Sequence, residues 1–233
     1  MSIEKIKLVG VQLATPITYV EEDQSTWTSS LVKKPVCHDV YLRTSHLAGN
    51  EQADLNHHGG KDKTLFAFPL EHICFWRDEV SLPDLPFGGL GENLTVMGVS
   101  EMDICIGDRF QLGEAFVEVS QPRLPCWKIG RCWGVHDLGK RMEEAGHSGW
   151  YFRTISEGSF SLADDLILTQ RSQPDWTIAE VFRIITHPLA NTERAKALLE
   201  VPEAAESMKT SLAKVLESGI YPDQTPRLFG RFT

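Results

Sequence analysis

The apolar residues of this chain change their period at about Gln170, and that change limits the folds open to it. Before that point they fall in short strand-like runs punctuated by glycine and proline. After it they repeat at the spacing of one helix face. Lys5 to Val11 reads as a first strand and Pro35 to Thr44 as another, rich in β-branched and aromatic residues. Asp108 to Ser120 reads as a hairpin turning at Gly113–Glu114, because Ala115, Val117 and Val119 alternate with Phe116, Glu118 and Ser120. Tyr151 to Ser156 and Asp165 to Thr169 read as a further pair closing around Glu157–Gly158. Two helices interrupt the strands: Pro69 to Glu79, with proline at its first position, and Asp137 to Ala145, stopped by Gly146. So many short strands with glycine-rich turns predict a mainly β fold, a barrel or a sandwich.

In the last quarter, Thr177-x-x-Glu180 is a capping box, and Ile178, Val181, Phe182 and Ile185 follow on one helix face. His187–Pro188 ends that helix, and Asn191 to Glu200 and Ala204 to Glu217 supply two more. Three helices in roughly 45 residues are marginal as an independent unit, so they are expected to pack on the β part. The division is 1–170 for the β domain and 171–233 for a C-terminal three-helix extension.

At 233 residues and 42% hydrophobic, the chain can build a full core. A net charge of −9 argues against a general nucleic-acid binder, which needs clustered Lys and Arg. No apolar run approaches a membrane span, and the N-terminus has no signal-peptide core. Five cysteines at irregular spacings do not form a disulfide framework, so a reducing cytoplasm is expected.

Three stretches carry chemistry. In Ser120-Gln-Pro-Arg-Leu-Pro-Cys-Trp-Lys128, Pro122 and Pro125 stiffen the presentation of Cys126, and Arg123 and Lys128 flank it. Nearby cations favour the thiolate, the form that binds soft metals or attacks electrophiles. A cysteine packed as a small hydrophobe is an equal alternative. In Asn56-His-His-Gly-Gly-Lys-Asp-Lys63, the paired Gly59 and Gly60 with Lys61 and Lys63 suit an anion, although local pattern alone favours an ordinary turn with solvated lysines. His57 and His58 would point to opposite faces of a strand, so at most one meets a pocket. In Phe87-Gly-Gly-Leu-Gly-Glu-Asn-Leu94, the glycines permit close backbone approach, and Asn93 offers a donor and an acceptor for a heterocycle edge, or simply occupies a turn. Cys74, between Ile73 and Phe75, and Cys105, between Ile104 and Ile106, read as packed; Cys37 and Cys132 are open. Walker, GxSxG, Rossmann and ferredoxin motifs do not occur.

The order of these stretches resembles the MOSC-domain proteins of the YiiM family. The resemblance rests on Gly49 through Asp54 with His58-Gly59-Gly60-x-Asp62-Lys63, on Gly91-Glu92-Asn93-Leu94, and on Ser120-Gln121-Pro122-Arg123-x-Pro125-Cys126-x-Lys128. It covers about residues 5 to 220, with the C-terminal helices similar to that family's extension. Asn50 and Lys63 depart from the aspartate and arginine frequent in the family, and lysine is a point charge rather than a bidentate fork. The resemblance implies a closed or partly open β-barrel that binds the molybdenum cofactor, with Cys126 as the metal ligand. His58, Gly59, Gly60, Lys61, Asp62, Lys63, Asn93, Arg123 and Lys128 are the implied cofactor-binding residues; Cys126 and His58 are the candidate catalytic residues, with His58 and Lys128 the two candidates for a proton donor. The implied activity is reduction of small N-hydroxylated compounds, such as hydroxylaminopurines, with electrons from a separate flavin or iron–sulfur partner. A non-enzymatic cofactor or sulfur carrier, and an interaction module with a structural Cys126, are the competing readings. For the helices, docking the donor, forming a homodimer and covering one barrel end all stay open.

Overall fold

The computed structural model describes residues 4–54 and 59–230. Its centre is a closed barrel of seven strands. In order around the ring they are β1 (Lys5–Leu13), β12 (Leu166–Gln170), β8 (Arg109–Leu112), β9 (Ala115–Pro122), β10 (Trp150–Ser156), β6 (Leu65–Pro69) and β7 (Leu94–Met97), which returns to β1. All neighbours are antiparallel except β6 and β7. A parallel pair needs a crossover, and α1 (Leu70–Glu79) lies in the segment that provides it. The barrel removes the exposed edges that a sandwich would keep. Outside the ring, β4 (Lys34–Pro35) pairs with β1, β2 (Ile17–Val20) with β3 (Thr26–Ser29), and β5 (Val40–Leu42) with β11 (Gly158–Phe160).

The predicted hairpin is present, with β8 and β9 turning at Gly113–Glu114. Two strand expectations are corrected. Pro35 to Thr44 is not one strand: β4 ends at Pro35, and β5 leaves the barrel to pair with β11. Nor do β10 and β12 pair with each other. The Glu157 carboxylate accepts from the Thr44 amide and hydroxyl at 2.8 and 3.1 Å, which draws the chain onto β5. Gly158 then passes so close to the β8–β9 turn that an added Cβ would lie 2.5 Å from the Glu114 carbonyl carbon. The sequence reading also missed the β2–β3 hairpin and two short helices, α2 (Trp127–Trp133) and α7 (Thr225–Phe229). The other helix bounds, α1 and α3 (Leu138–Ala145), agree with expectation to within a residue.

Two apolar clusters hold the molecule together. Inside the barrel, Leu65, Ala67, Leu94, Val96, Phe110, Val117, Trp150 and Phe152 are fully buried. The same cluster takes in Ile178, Val181 and Ile184 of α4 (Ile178–Thr186), Ala195 and Leu198 of α5 (Thr192–Leu199) and Leu212 of α6 (Glu206–Ser218). Burial of each such side chain is worth about 1.5–3 kcal/mol, so barrel and helices stabilise one another. Thr177 caps α4 by accepting from the Glu180 amide at 3.2 Å. The second cluster lies on the outer barrel wall, where Phe66 and Phe68 of β6 meet Ile73 and Trp76 of α1, Ile129 of α2 and Leu138 and Met142 of α3. It fixes α2, and with α2 the cysteine turn. Among the described residues no helix is long and apolar enough to cross a membrane.

Candidate functional site

Cys126 stands where β9 has ended and α2 has not begun. Its extended backbone makes it the N-terminal cap of α2, and its carbonyl accepts from the Ile129 amide at 3.2 Å. Three neighbours hold this turn. The Arg123 amide donates to the Gly149 carbonyl at 3.3 Å. Arg227 donates to the Pro125 carbonyl and to Glu143, each at 2.6 Å. Gly139 of α3 passes so close that a Cβ there would lie 3.1 Å from the Cys126 carbonyl oxygen. The thiol is partly exposed and lines two adjoining clefts.

The first cleft is a narrow cavity of about 80 Å3 that opens to solvent, and its polar wall is cationic. Arg123 lies in this wall, 4% exposed, with its guanidinium 5.3 Å from the Phe66 ring centroid. Its Nη2 reaches the Leu90 carbonyl at 3.4 Å, while Nη1 has no hydrogen-bond partner among the described residues. Ser30 Oγ, on the same wall, is likewise buried without one. Lys33 donates to the Ser30 carbonyl and to Asn50 Oδ1, each at 3.2 Å. Burial pushes its pKa down to about 8, with Arg123 adding to the effect and Glu92 opposing it. Burial likewise pushes Glu92 up to about 7, against the Gly88 and Leu90 amides at 2.5 and 3.2 Å and the Lys33 charge. A net-negative chain thus buries two cations beside one another.

The structure gathers five of the predicted site residues, Lys63, Asn93, Arg123, Cys126 and Lys128, on the first cleft. Lys63 and Lys128 line the second as well. Lys63 has its pKa lowered by burial, with Asp62 and Asp54 opposing, and its Nζ lies 5.8 Å from the Tyr151 ring centroid. Lys128 donates to the Thr28 carbonyl at 3.1 Å. Asn93 spends its side chain on the scaffold as well: Oδ1 accepts from the Phe66 amide at 3.3 Å, and Nδ2 donates to the Gln12 carbonyl at 3.1 Å. Gly59, Gly60, Lys61 and Asp62 do not line the first cleft. Gly60 turns the chain at φ +105°, Lys61 is exposed, and Asp62 pairs with Arg153 at 2.7 Å. His57 and His58 lie outside the described residues.

Sequence reasoning missed Lys33, Asn50 as its acceptor, and Tyr151. The glycines of the Gly-Glu-Asn stretch were the available signal. They do allow a close backbone approach, but to the Leu31–Lys33 segment: an added Cβ on Gly88, at φ +85°, would lie 2.7 Å from the Lys33 carbonyl oxygen. Tyr151 lines both clefts, its phenol pushed above its usual pKa by burial against the opposing pull of Arg123. Of the other cysteines, Cys105 is buried as expected. Cys74 is exposed, contrary to expectation, because Ile73 and Trp76 take the inward face of α1. Burial raises Cys132 to about 11, which keeps it a thiol.

The MOSC domain family model matches residues 54–167. Over 214 residues the chain is 36% identical to the uncharacterized protein YflK of Bacillus subtilis, spanning 92% of this chain and 96% of YflK. It is 32% identical over 205 residues to the protein YiiM of Escherichia coli, spanning 87% and 91% of the two chains. A Gibberella moniliformis protein named a reductase is 32% identical over 161 residues, 68% of this chain but 28% of that protein. The crystal structure of YiiM from Geobacillus stearothermophilus matches with a TM-score of 0.77 at 31% identity, covering 91% of this chain and 99% of the other. The chain belongs to the MOSC-domain family, in its YiiM group, and its role is molybdenum-cofactor-related.

Proposed function

We propose that the protein is a molybdenum-cofactor-dependent reductase that converts N-hydroxylated compounds, such as hydroxylaminopurines, to amines. The observation that carries this reading is the buried Arg123 Nη1, unpartnered among the described residues, on the cleft shared with Lys33 and Cys126. A buried donor without a partner costs about 1–3 kcal/mol, and an anionic ligand recovers that cost. The donor set also fits the cofactor. Among the described residues no group of three or more His, Cys, Asp or Glu can hold a bare ion. A single thiolate suits a metal whose other ligands come from an organic cofactor. The relative named a reductase supports redox chemistry.

Net reduction of R–NHOH takes two electrons and two protons and gives R–NH2 and water. When bound, the cofactor supplies the metal and the two electrons, replenished by a separate flavin or iron–sulfur protein. In this reading Cys126 ligates the metal, and Arg123, Lys33 and Lys63 hold the anionic part of the cofactor. Tyr151 and Lys128 are proton-bearing groups on both clefts. The Tyr151 phenol, raised further by burial, carries a proton at Oη at pH 7, and Arg123, which donates a hydrogen bond to it, would stabilise the phenolate left behind. Five free cysteines fit a reducing cytoplasm.

The test is turnover of 6-hydroxylaminopurine by protein made in a host that synthesises the cofactor, with a chemical or protein reductant. The expected result is amine formation by the wild type and none by Cys126→Ala. Metal-loaded protein that turns over no hydroxylamine with any donor would overturn the reductase reading in favour of a cofactor carrier.

A further inference from the structure

The second cleft is larger than the first, about 830 Å3, and the barrel supplies only one side of it. Its barrel side carries Gln121, Pro122 and Leu124 from the end of β9. Its opposite side is built by the C-terminal helices: Met208, Ser211, Leu212 and Val215 of α6, then Tyr221 and Pro226 around α7. The two clefts share Asp54, Lys63, Cys126, Lys128 and Tyr151, so they are one continuous space with Cys126 at the junction.

We propose that this chamber holds the body of an uncharged N-hydroxylated heterocycle, and that α6 and the Tyr221–Arg227 segment decide which compounds are admitted. The inference rests on the reductase reading above and adds the wall that selects the substrate. Three observations carry it. The helical wall is apolar at Met208, Leu212, Val215 and Pro226, which suits a flat organic body. Its one cation among the described residues that line it, Arg227, already donates to Glu143, to Pro125 and to Gln224, and Asp223 stands nearby as an anion. A phosphate on the substrate would therefore meet no uncommitted cation on that wall, whereas the basic residues Lys63 and Lys128 lie at the junction with the first cleft. Finally, Gln121 is 7% exposed, and its Oε1 has no hydrogen-bond partner among the described residues. A ligand bearing an N–H, as a purine ring does, would satisfy it.

Ser207 and Ser211 are exposed, one helical turn apart, and both line the chamber, so a large side chain at Ser211 fills it without entering the core. The experiment measures binding of 6-hydroxylaminopurine and of its ribonucleoside 5′-monophosphate to the full-length protein by calorimetry. Ser211→Trp is compared with Lys214→Trp, an exposed position of α6 that does not line the chamber. The expected result is at least tenfold weaker binding of the base to Ser211→Trp, unchanged binding to Lys214→Trp, and at least tenfold weaker binding of the nucleotide than of the base to the wild type. A base that does not bind the wild type, or binds Ser211→Trp equally well, would overturn the proposal, as would a nucleotide bound as tightly as the base. Turnover on the same preparations separates the two readings. Turnover indifferent to Ser211→Trp removes the chamber and leaves the reductase, whereas a Ser211-sensitive base site in metal-loaded protein without turnover removes the reductase and leaves the chamber.

Discussion

Asp62, Arg153, Glu118 and Arg109 form a chain of paired charges across the Gly60–Lys63 turn and strands β8, β9 and β10, with contacts of 2.7, 2.9 and 2.7 Å. Lys33, Glu92 and Arg123 are buried more deeply than Arg153 and Arg109, yet Lys33 is bonded to the neutral oxygens of Ser30 and Asn50, and Arg123 meets the Leu90 carbonyl, the Phe66 ring and the Tyr151 phenol rather than a carboxylate. The first group spends its charge on the fold. In the second, neither Lys33 nor Arg123 makes an ion pair among the described residues, and both line a cleft beside a thiol. Buried charge alone therefore does not mark a site; buried charge without an ionic partner does.

Breaking the paired group has the largest expected effect on stability. Glu118→Ala leaves the guanidinium of Arg153 with one carboxylate instead of two, and loss of a charge-assisted hydrogen bond costs about 1.5–3 kcal/mol. Chemical denaturation should show a drop of that order. In the unpaired group, Arg123→Met removes an unsatisfied donor and keeps much of the side-chain volume. Its denaturation midpoint should stay close to that of the wild type, while affinity for inorganic phosphate, measured by calorimetry, should fall at least tenfold. An Arg123→Met variant as unstable as Glu118→Ala would erase the distinction.

A smaller effect concerns pH. Glu92 is raised from 4.5 to about 7 in the folded protein, so between those values the folded state binds the extra proton and stability falls as pH rises. Lys33 is lowered from 10.5 to about 8, so between 8 and 10.5 the unfolded state binds the extra proton and stability rises with pH. The thermal midpoint of the wild type relative to Glu92→Gln should decline from pH 4.5 to 7, and relative to Lys33→Met should climb above pH 8. Parallel curves would mean that neither group is perturbed.

Much of this was legible in the sequence where the signal was local. The alternation in Asp108–Ser120, the Thr177 capping box and the prolines around Cys126 each act within a few residues. The paired role of Asp62 was not legible, because Arg153 lies 91 residues away. Lys33 stands beside Lys34 with nothing local to bury it, and the Gly88 turn that packs against it lies 55 residues away in sequence. The β10–β12 error has the same origin: Glu157–Gly158 looks like a hairpin turn, but its partners are Thr44 and the β8–β9 turn.

The most direct test of the account is the molybdenum content of the wild type and of Cys126→Ala, both expressed in a host that makes the cofactor. The account predicts near-stoichiometric metal in the wild type and its loss in the variant, with both proteins folded. Absence of metal from the wild type, or equal metal in the two proteins, would contradict it.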